Sequence, residues 1–343
     1  MTNMWKDIHE QPESMEKCYQ NNISKITKLA QEIRNKNIRM IYIAARGSSE
    51  HAGIYAQHIM QLETGIPAAI ALPSIFTIYG KSICLENTLV LGISQSGQAE
   101  DVIQVIKEAN RQKAMTVSIT SYPDSPLARE SRCSLFCEAD QAIPATKTFM
   151  TTMQILAWIT AEWAQNQGLC LDLKTLPQKI RETVEINEDV SREIQRFRFL
   201  QECFILARGV NFAAAVESEL KMQETTYIRA RAYAISDFQH GPISMVEKGC
   251  PIFFLAPKGQ SKPNAAEMID RMIRRDADLA IISNDAQLLG KGTSAFRIPD
   301  TDNDMLSPFY NVTVMQMIAC QIALLKGLDP DKPRGMNKII ITR

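Results

Sequence analysis

Histidine is scarce in this chain, with four residues in 343, and net charge is absent, with 38 Lys plus Arg against 38 Asp plus Glu. That balance removes the broad electropositive footprint of nucleic-acid and anionic-membrane binders. An anionic ligand would have to be held by a local site. The eight cysteines form no Cys-x-x-Cys pair and have no His cluster beside them, so neither a zinc pattern nor a disulfide framework is visible. They read as core and surface thiols of a reducing compartment. No uninterrupted apolar run approaches the roughly 18 residues of a membrane span. The N-terminal stretch carries Asp7, Glu10 and Glu13 and lacks the apolar centre of a signal peptide. A cytoplasmic location is expected. Also missing are Gly-x-Gly-x-x-Gly and Gly-x-x-x-x-Gly-Lys-Ser/Thr, the loops that hold dinucleotides and nucleoside triphosphates. What is present, 45% hydrophobic and 22% charged residues, is the composition of a globular enzyme long enough for two domains.

The chain repeats itself. Ile41 to Ala44 leads into Ala45-Arg46-Gly47-Ser48-Ser49, and Phe204 to Leu206 leads into Ala207-Arg208-Gly209-Val210-Asn211, with glycines 47 and 209 lying 162 positions apart. Val90 to Ser96 with Gly97-Gln98 matches Ile252 to Lys258 with Gly259-Gln260 at the same offset, and a third apolar run pairs 115–120 with 277–282. One such match would be weak; three in one register indicate a tandem duplication. Each copy alternates apolar strands of five to seven residues with amphipathic segments such as 100–111. That alternation predicts α/β architecture: two tandem, doubly wound domains, each with a parallel sheet covered on both faces.

The copies differ at the loops where ligands of parallel sheets bind, beyond the carboxyl ends of the strands. The first places Ser48, Ser49, Ser94, Gln95 and Ser96 there; the second has Val210, Asn211, Ala256, Pro257 and Lys258. A lone serine at such a position usually caps a helix. Five donors on two loops point to an anion cradle at helix N-termini, sized for a small phosphate ester. The first copy is therefore expected to bind, and the second to have another role.

Glu217, Lys221 and Glu224 stand at i, i+4 and i+7, on one face of a predicted helix flanked by Val216, Leu220 and Tyr227. Spacing alone favours a solvated salt-bridge ladder over a tuned carboxylate for proton transfer. His240 precedes Gly241-Pro242 at a turn, and Lys338 precedes an Ile339–Ile341 run that should pack and draw its ammonium out of water. His51 and His58 share a helix face without a third ligand, so zinc is not expected.

Taken in order, Trp5 to Pro12, Arg46-Gly47-Ser48-Ser49, Ser94-Gln95-Ser96-Gly97, Thr146-Lys147, Glu217-x-x-x-Lys221-x-x-Glu224, His240-Gly241-Pro242 and Pro333 to Lys338 resemble the sugar-isomerase (SIS) family. The likeness is to the isomerase half of glucosamine-6-phosphate synthases and their stand-alone deaminase relatives, and it covers nearly the whole chain. It implies two flavodoxin-like SIS domains: a lead-in at 1–24, a phosphosugar-binding domain at 25–170, a helical linker at 171–198, a second domain at 199–328 and a catalytic C-terminal tail at 329–343. It implies that Ser49, Ser94, Gln95 and Ser96 hold a sugar 6-phosphate, while Gly47, Ser48, Ile143 and Ala145 line the sugar. Glu224 would move the proton between C1 and C2, with Lys221 beside it. His240, from the neighbouring subunit of a homodimer, would open the ring, and Lys338 would meet the open-chain carbonyl. No metal or organic cofactor is implied, and no nucleic-acid or membrane partner. Ala99 and Ala145 stand where the family often has hydroxyl residues, and Arg231 stands where the synthases have an acid.

The synthases carry an N-terminal glutaminase, for which the two dozen or so residues ahead of the first repeat leave no room. The expected reaction is thus conversion of glucosamine 6-phosphate to fructose 6-phosphate and ammonia through a fructosimine. The alternatives are a fructosamine-6-phosphate deglycase, a simple aldose–ketose isomerase and, in another class, a non-catalytic sugar-phosphate sensor.

Overall fold

Residues 1–139 and 144–335 are described by a computed structural model. The apolar runs form strands as expected. In the first half these are β1 (Met40–Ala44), β2 (Ala68–Ile70), β3 (Thr88–Ile93), β4 (Met115–Thr120) and β5 (Cys133–Phe136). They pair in parallel in the order β2-β1-β3-β4-β5. The second half has β6 (Glu202–Ala207), β7 (Arg229–Ala234), β8 (Pro251–Leu255), β9 (Asp278–Ser283) and β10 (Ser294–Arg297). Their order is β10-β9-β8-β6-β7, again parallel. Counted from the first strand of each half, both sheets have the same order, 2-1-3-4-5, which bears out two tandem doubly wound sheets. Every residue of β3 and β4 is buried, because helices cover both faces and leave no water-facing side.

The chain forms two compact units. Among the described residues, one comprises Gln11–Thr175, and the other combines Met1–Glu10 with residues 176–335. The division therefore falls inside the helix Gln167–Ile186, which also contains Pro177. The first residues join the second unit for a specific reason. The backbone N–H groups of Asn3 and Met4, at the start of the helix Asn3–His9, donate to the Asp331 carboxylate at 2.7 and 2.8 Å. A helix N-terminus carries orphan donors and partial positive charge, so a carboxylate from far along the chain stabilises it.

The helix Ser307–Leu325 is long and apolar enough, by length and composition, to cross a membrane, although Asn311, Thr313 and Gln316 interrupt its apolar run. Its apolar window is 83% buried within the structure. It is the core helix of the second unit, packed against the helix Phe212–Thr226.

Candidate active site

In the first unit the chain turns from β1 into the helix Ser48–Thr64 through Gly47, at φ +56°. It turns from β3 toward the helix Glu100–Arg111 through Gly97, at φ +63°. Both angles are in the left-handed region that glycine enters without steric cost. A Cβ at Gly97 would also collide with the side chains of Ser125 and Thr120. β1 and β3 are neighbours, and β2 lies on the far side of β1, so the two loops flank the point where strand order reverses.

A small cavity there is lined by Ser48, Ser49, Gln95, Ala145, Thr148, Phe149 and Thr152. Ser94 is buried at the end of β3, its N–H bonded to Ile119 O at 3.1 Å, and the Ser96 hydroxyl accepts from the Gln98 amide at 3.3 Å. Two buried polar atoms at this place have no partner: Gln95 Nε2 and Thr146 Oγ1. Buried polar atoms are nearly always satisfied, and such exceptions mark places where a ligand or water can complete the bonding. Ala99, at the N-cap of Glu100–Arg111, makes no side-chain cap bond.

Thr146 and Thr148, at the start of the helix Lys147–Ala164, were not assigned a role by sequence reasoning. The run of threonines 146, 148, 151 and 152 was the available signal, and nothing in their spacing relates them to residue 95. The same is true of Arg46, whose Nε donates to Asp101 Oδ2 at 2.7 Å and whose Nη1 lies 3.6 Å from Glu50. This pairing ties the loop after β1 to the helix after β3. Ile143 lies outside the described residues, as does Lys338.

The corresponding place in the second unit is filled by the chain itself. Gly259-Gln260-Ser261, the repeat of Gly97-Gln98-Ala99, receives the Asp304 carboxylate. Asp304 accepts from Ser261 N at 3.0 Å and Ser261 Oγ at 3.2 Å, with a further bond from the Gln260 backbone. A Cβ at Gly259 would strike that carboxylate. Burial pushes the Asp304 carboxyl above its usual value and outweighs the hydrogen bonds that pull it down. After β6, the buried Asn211 side chain accepts from Asn311 Nδ2 at 2.7 Å and Ser307 Oγ at 3.1 Å.

The second unit instead carries a charged triad. Glu217 and Lys221 are 0% and 1% exposed, with Lys221 Nζ 3.4 Å from Glu217 Oε1. Lys221 also donates to Glu224 Oε2, whose side chain is 11% exposed. The solvated-ladder reading is overturned. The expected apolar flank, Val216, Leu220 and Tyr227, is only half-buried, while Ala213, Ala214 and Met222 are buried alongside the charges. The helix Phe212–Thr226 lies against β6, β7 and the helix Ser307–Leu325, so it has more than one buried face. Burial pulls the Lys221 ammonium down, but Glu217 and Glu224 together outweigh it, and its pKa stands above the ordinary lysine value. Lys221 therefore stays charged and serves as the counter-ion of the carboxylates.

His240 is exposed after the short helix Ile235–Phe238, where Gly241 turns the chain at φ +145°. Its backbone N–H bonds Asp237 O at 3.0 Å, and its imidazole has no hydrogen-bond partner among the described residues. Of the candidates in this unit, the fold brings Lys221 and Glu224 together. Among the described residues, no group of three or more His, Cys, Asp or Glu side chains could hold a metal.

A parallel-sheet crevice of uncapped donors in one unit, with its repeat closed by an internal carboxylate in the other, defines a duplicated doubly wound α/β protein. The family model for the SIS domain matches residues 32–161 and 201–326, and the chain belongs to that family. It is 28% identical over 342 residues to the isomerizing glutamine–fructose-6-phosphate aminotransferase of Aquifex aeolicus, covering 98% of this chain and 57% of that protein. The chain thus spans a little over half the length of the curated relatives it matches. The C-terminal domain of glucosamine-fructose-6-phosphate aminotransferase from Francisella tularensis superposes with a TM-score of 0.88 at 23% identity, covering 97% of this chain and 98% of that one. Glucosamine-6-phosphate deaminase from Thermotoga maritima superposes at 0.82 and 20% identity, covering 99% and 100%. At these identities the two structures establish the fold.

Proposed function

We propose that the chain is a phosphosugar isomerase acting on an amino-sugar 6-phosphate, releasing ammonia from glucosamine 6-phosphate. The observation that carries this is Glu224 at the exposed end of a buried carboxylate–ammonium–carboxylate triad. A carboxylate paired with a retained cation and not wholly buried is suited to moving a proton next to a carbonyl. In this reading Ser49, Ser94, Gln95 and Ser96 hold the 6-phosphate, and Gly47, Ser48 and Ala145 line the sugar. Ile143 and Lys338 complete the assignment: Ile143 along the sugar, Lys338 on the open-chain carbonyl. The related synthases and deaminases named above act on hexose 6-phosphates, in agreement with this reading.

The reaction balances as follows. In the open-chain aldehyde, Glu224 removes the C2 proton and the electron pair moves toward the C1 oxygen. Return of that proton to C1, with transfer of one amine proton to the C1 oxygen, leaves a C1 hydroxyl and an imine at C2. Water adds to C2 and ammonia departs, giving fructose 6-phosphate. His240 would supply the proton transfer that opens the ring, and its exposure in one chain suits service to a second copy of a homodimer. Lys221 pairs with the carboxylate and orients it.

Purified protein is to be incubated with glucosamine 6-phosphate, fructosamine 6-phosphates and unsubstituted hexose 6-phosphates, with ammonia and ketose measured. Ammonia release from the first, abolished in Glu224→Gln while sugar-phosphate binding persists, supports the proposal. Absence of turnover on the whole panel rejects it and favours a sensor. A deglycase is the second reading, because Ala145 presents a methyl group to the cavity where relatives often carry a hydroxyl. Release of a free amino acid from a fructosamine 6-phosphate would establish it.

A further inference from the structure

The cavity in the first unit lies between the first turns of two helices. Ser48 and Ser49 open the helix Ser48–Thr64, and Thr148 and Phe149 are the second and third residues of Lys147–Ala164. Neither helix is capped by a side chain: Gly47 has none to offer, and Thr146, at the other N-cap, makes no cap bond. First-turn N–H groups that no cap satisfies turn partial positive charge toward whatever they face. Two such ends on one small cavity favour an anion.

Thr148 is an independent sign of a ligand at the same place. It is 3% exposed, it lines the cavity, and among the described residues its hydroxyl has no hydrogen-bond partner. A threonine inside a helix usually returns its hydroxyl to a carbonyl three or four residues back. Thr160 does so to Leu156 O at 2.8 Å, and Thr151 to Thr148 O at 3.3 Å. For Thr148 those positions are 144 and 145, ahead of the helix, so the usual acceptor is lacking. Its neighbours on this wall do not compete for the role. Ala145 and Phe149 present carbon only, and Thr152 Oγ1 is engaged with Cys137 Sγ at 3.3 Å. Gln95, from the loop after β3, lines the same cavity with its own unpartnered donor, Nε2. A buried hydroxyl and a buried amide left idle cost stability in the empty protein, and a ligand oxygen removes that cost.

We propose that Thr148 is a further phosphate-binding residue: its hydroxyl donates to the 6-phosphate of the sugar, which lies between the first turns of Ser48–Thr64 and Lys147–Ala164. The proposal rests on the function set out above, in which Ser49, Ser94, Gln95 and Ser96 hold that phosphate, and it adds a second helix N-terminus to the cradle. Two consequences of opposite sign separate this role from a structural one. Valine keeps threonine's shape without the hydroxyl, so Thr148→Val takes an unsatisfied polar group out of the unliganded protein and should not lower its thermal midpoint. The same change takes a charge-assisted hydrogen bond out of the complex and should weaken binding about tenfold.

The test compares wild type, Thr148→Val and Thr148→Ser by titration calorimetry with fructose 6-phosphate and with inorganic phosphate, beside thermal midpoints of the unliganded proteins. About tenfold weaker binding of both probes is expected in Thr148→Val, with Thr148→Ser, which keeps the hydroxyl, within about twofold of wild type. The unliganded midpoint of Thr148→Val is expected to be no lower than that of wild type. Binding of fructose 6-phosphate by wild type and Thr148→Val with equal affinity overturns the proposal alone. So does weakening for the sugar ester but not for inorganic phosphate, which would put the hydroxyl on the sugar. A lowered midpoint in Thr148→Val, restored in Thr148→Ser, makes the residue structural and also overturns it. A wild-type chain that binds neither probe overturns the phosphosugar reading, and this proposal with it.

Discussion

Lys221 shows how far residue spacing carries and where it stops. The i, i+4, i+7 pattern correctly placed three charges on one helical face, but it could not tell whether that face met water. Burial was decided by the helix Ser307–Leu325, a contact between residues roughly a hundred positions apart. Removing one member of a buried charge group leaves another charge uncompensated, so Lys221→Met should destabilise the protein by about 3–5 kcal/mol. Urea unfolding measures this, and a loss below about 1 kcal/mol would mean that Glu217 finds water. Asp304 permits a pH test. Its folded pKa is raised above the ordinary carboxylate value, so it contributes stability at low pH that is lost as pH rises through the folded pKa. Wild type should therefore gain stability relative to Asp304→Asn as pH falls from 7 toward 4, read from thermal midpoints at each pH. The opposite slope would show that the hydrogen bonds to Ser261 outweigh burial.

At the scale of the elements, the loops after β1 and β3 were legible because Gly47 and Gly97 each end an apolar run and open a helix. The third wall was not. Thr148 and Thr152 reach the cavity only because β5 and the helix after it return to the same end of the sheet. The tie between Arg46 and Asp101 was hidden for the same reason: 55 residues separate them, and strand order makes their loops adjacent. That pairing fixes the spacing of the two loops that would grip a phosphate. Asp101→Asn should raise KM for the sugar phosphate about tenfold while kcat stays within about twofold, because only uniform binding is lost. Steady-state kinetics decide it: equal falls in kcat and kcat/KM would place Asp101 in the chemical step instead. The departure at Ala99 is milder than the sequence suggests, since an absent cap leaves backbone donors of the first turn open to an anion.

For the molecule as a whole, the 162-residue offset was enough to anticipate two sheets of one topology, because a duplicated series of βα units has little freedom in how it winds. It did not anticipate that the first ten residues would join the second unit, where the Asp331 carboxylate receives the N-terminus of their helix and Glu188 pairs with His9. Nor did it anticipate that Asp304 would fill the second crevice. That internal occupant predicts a stoichiometry: titration calorimetry with a sugar phosphate should give one site per chain. Two equal sites would mean that Asp304 is readily displaced. The helix Ser307–Leu325 has a separate consequence. Folded, its span-like apolarity is hidden; released by heat, it would offer unfolded neighbours a long adhesive surface. Heating should then end in precipitation, and the apparent melting temperature should follow the rate at which the sample is warmed.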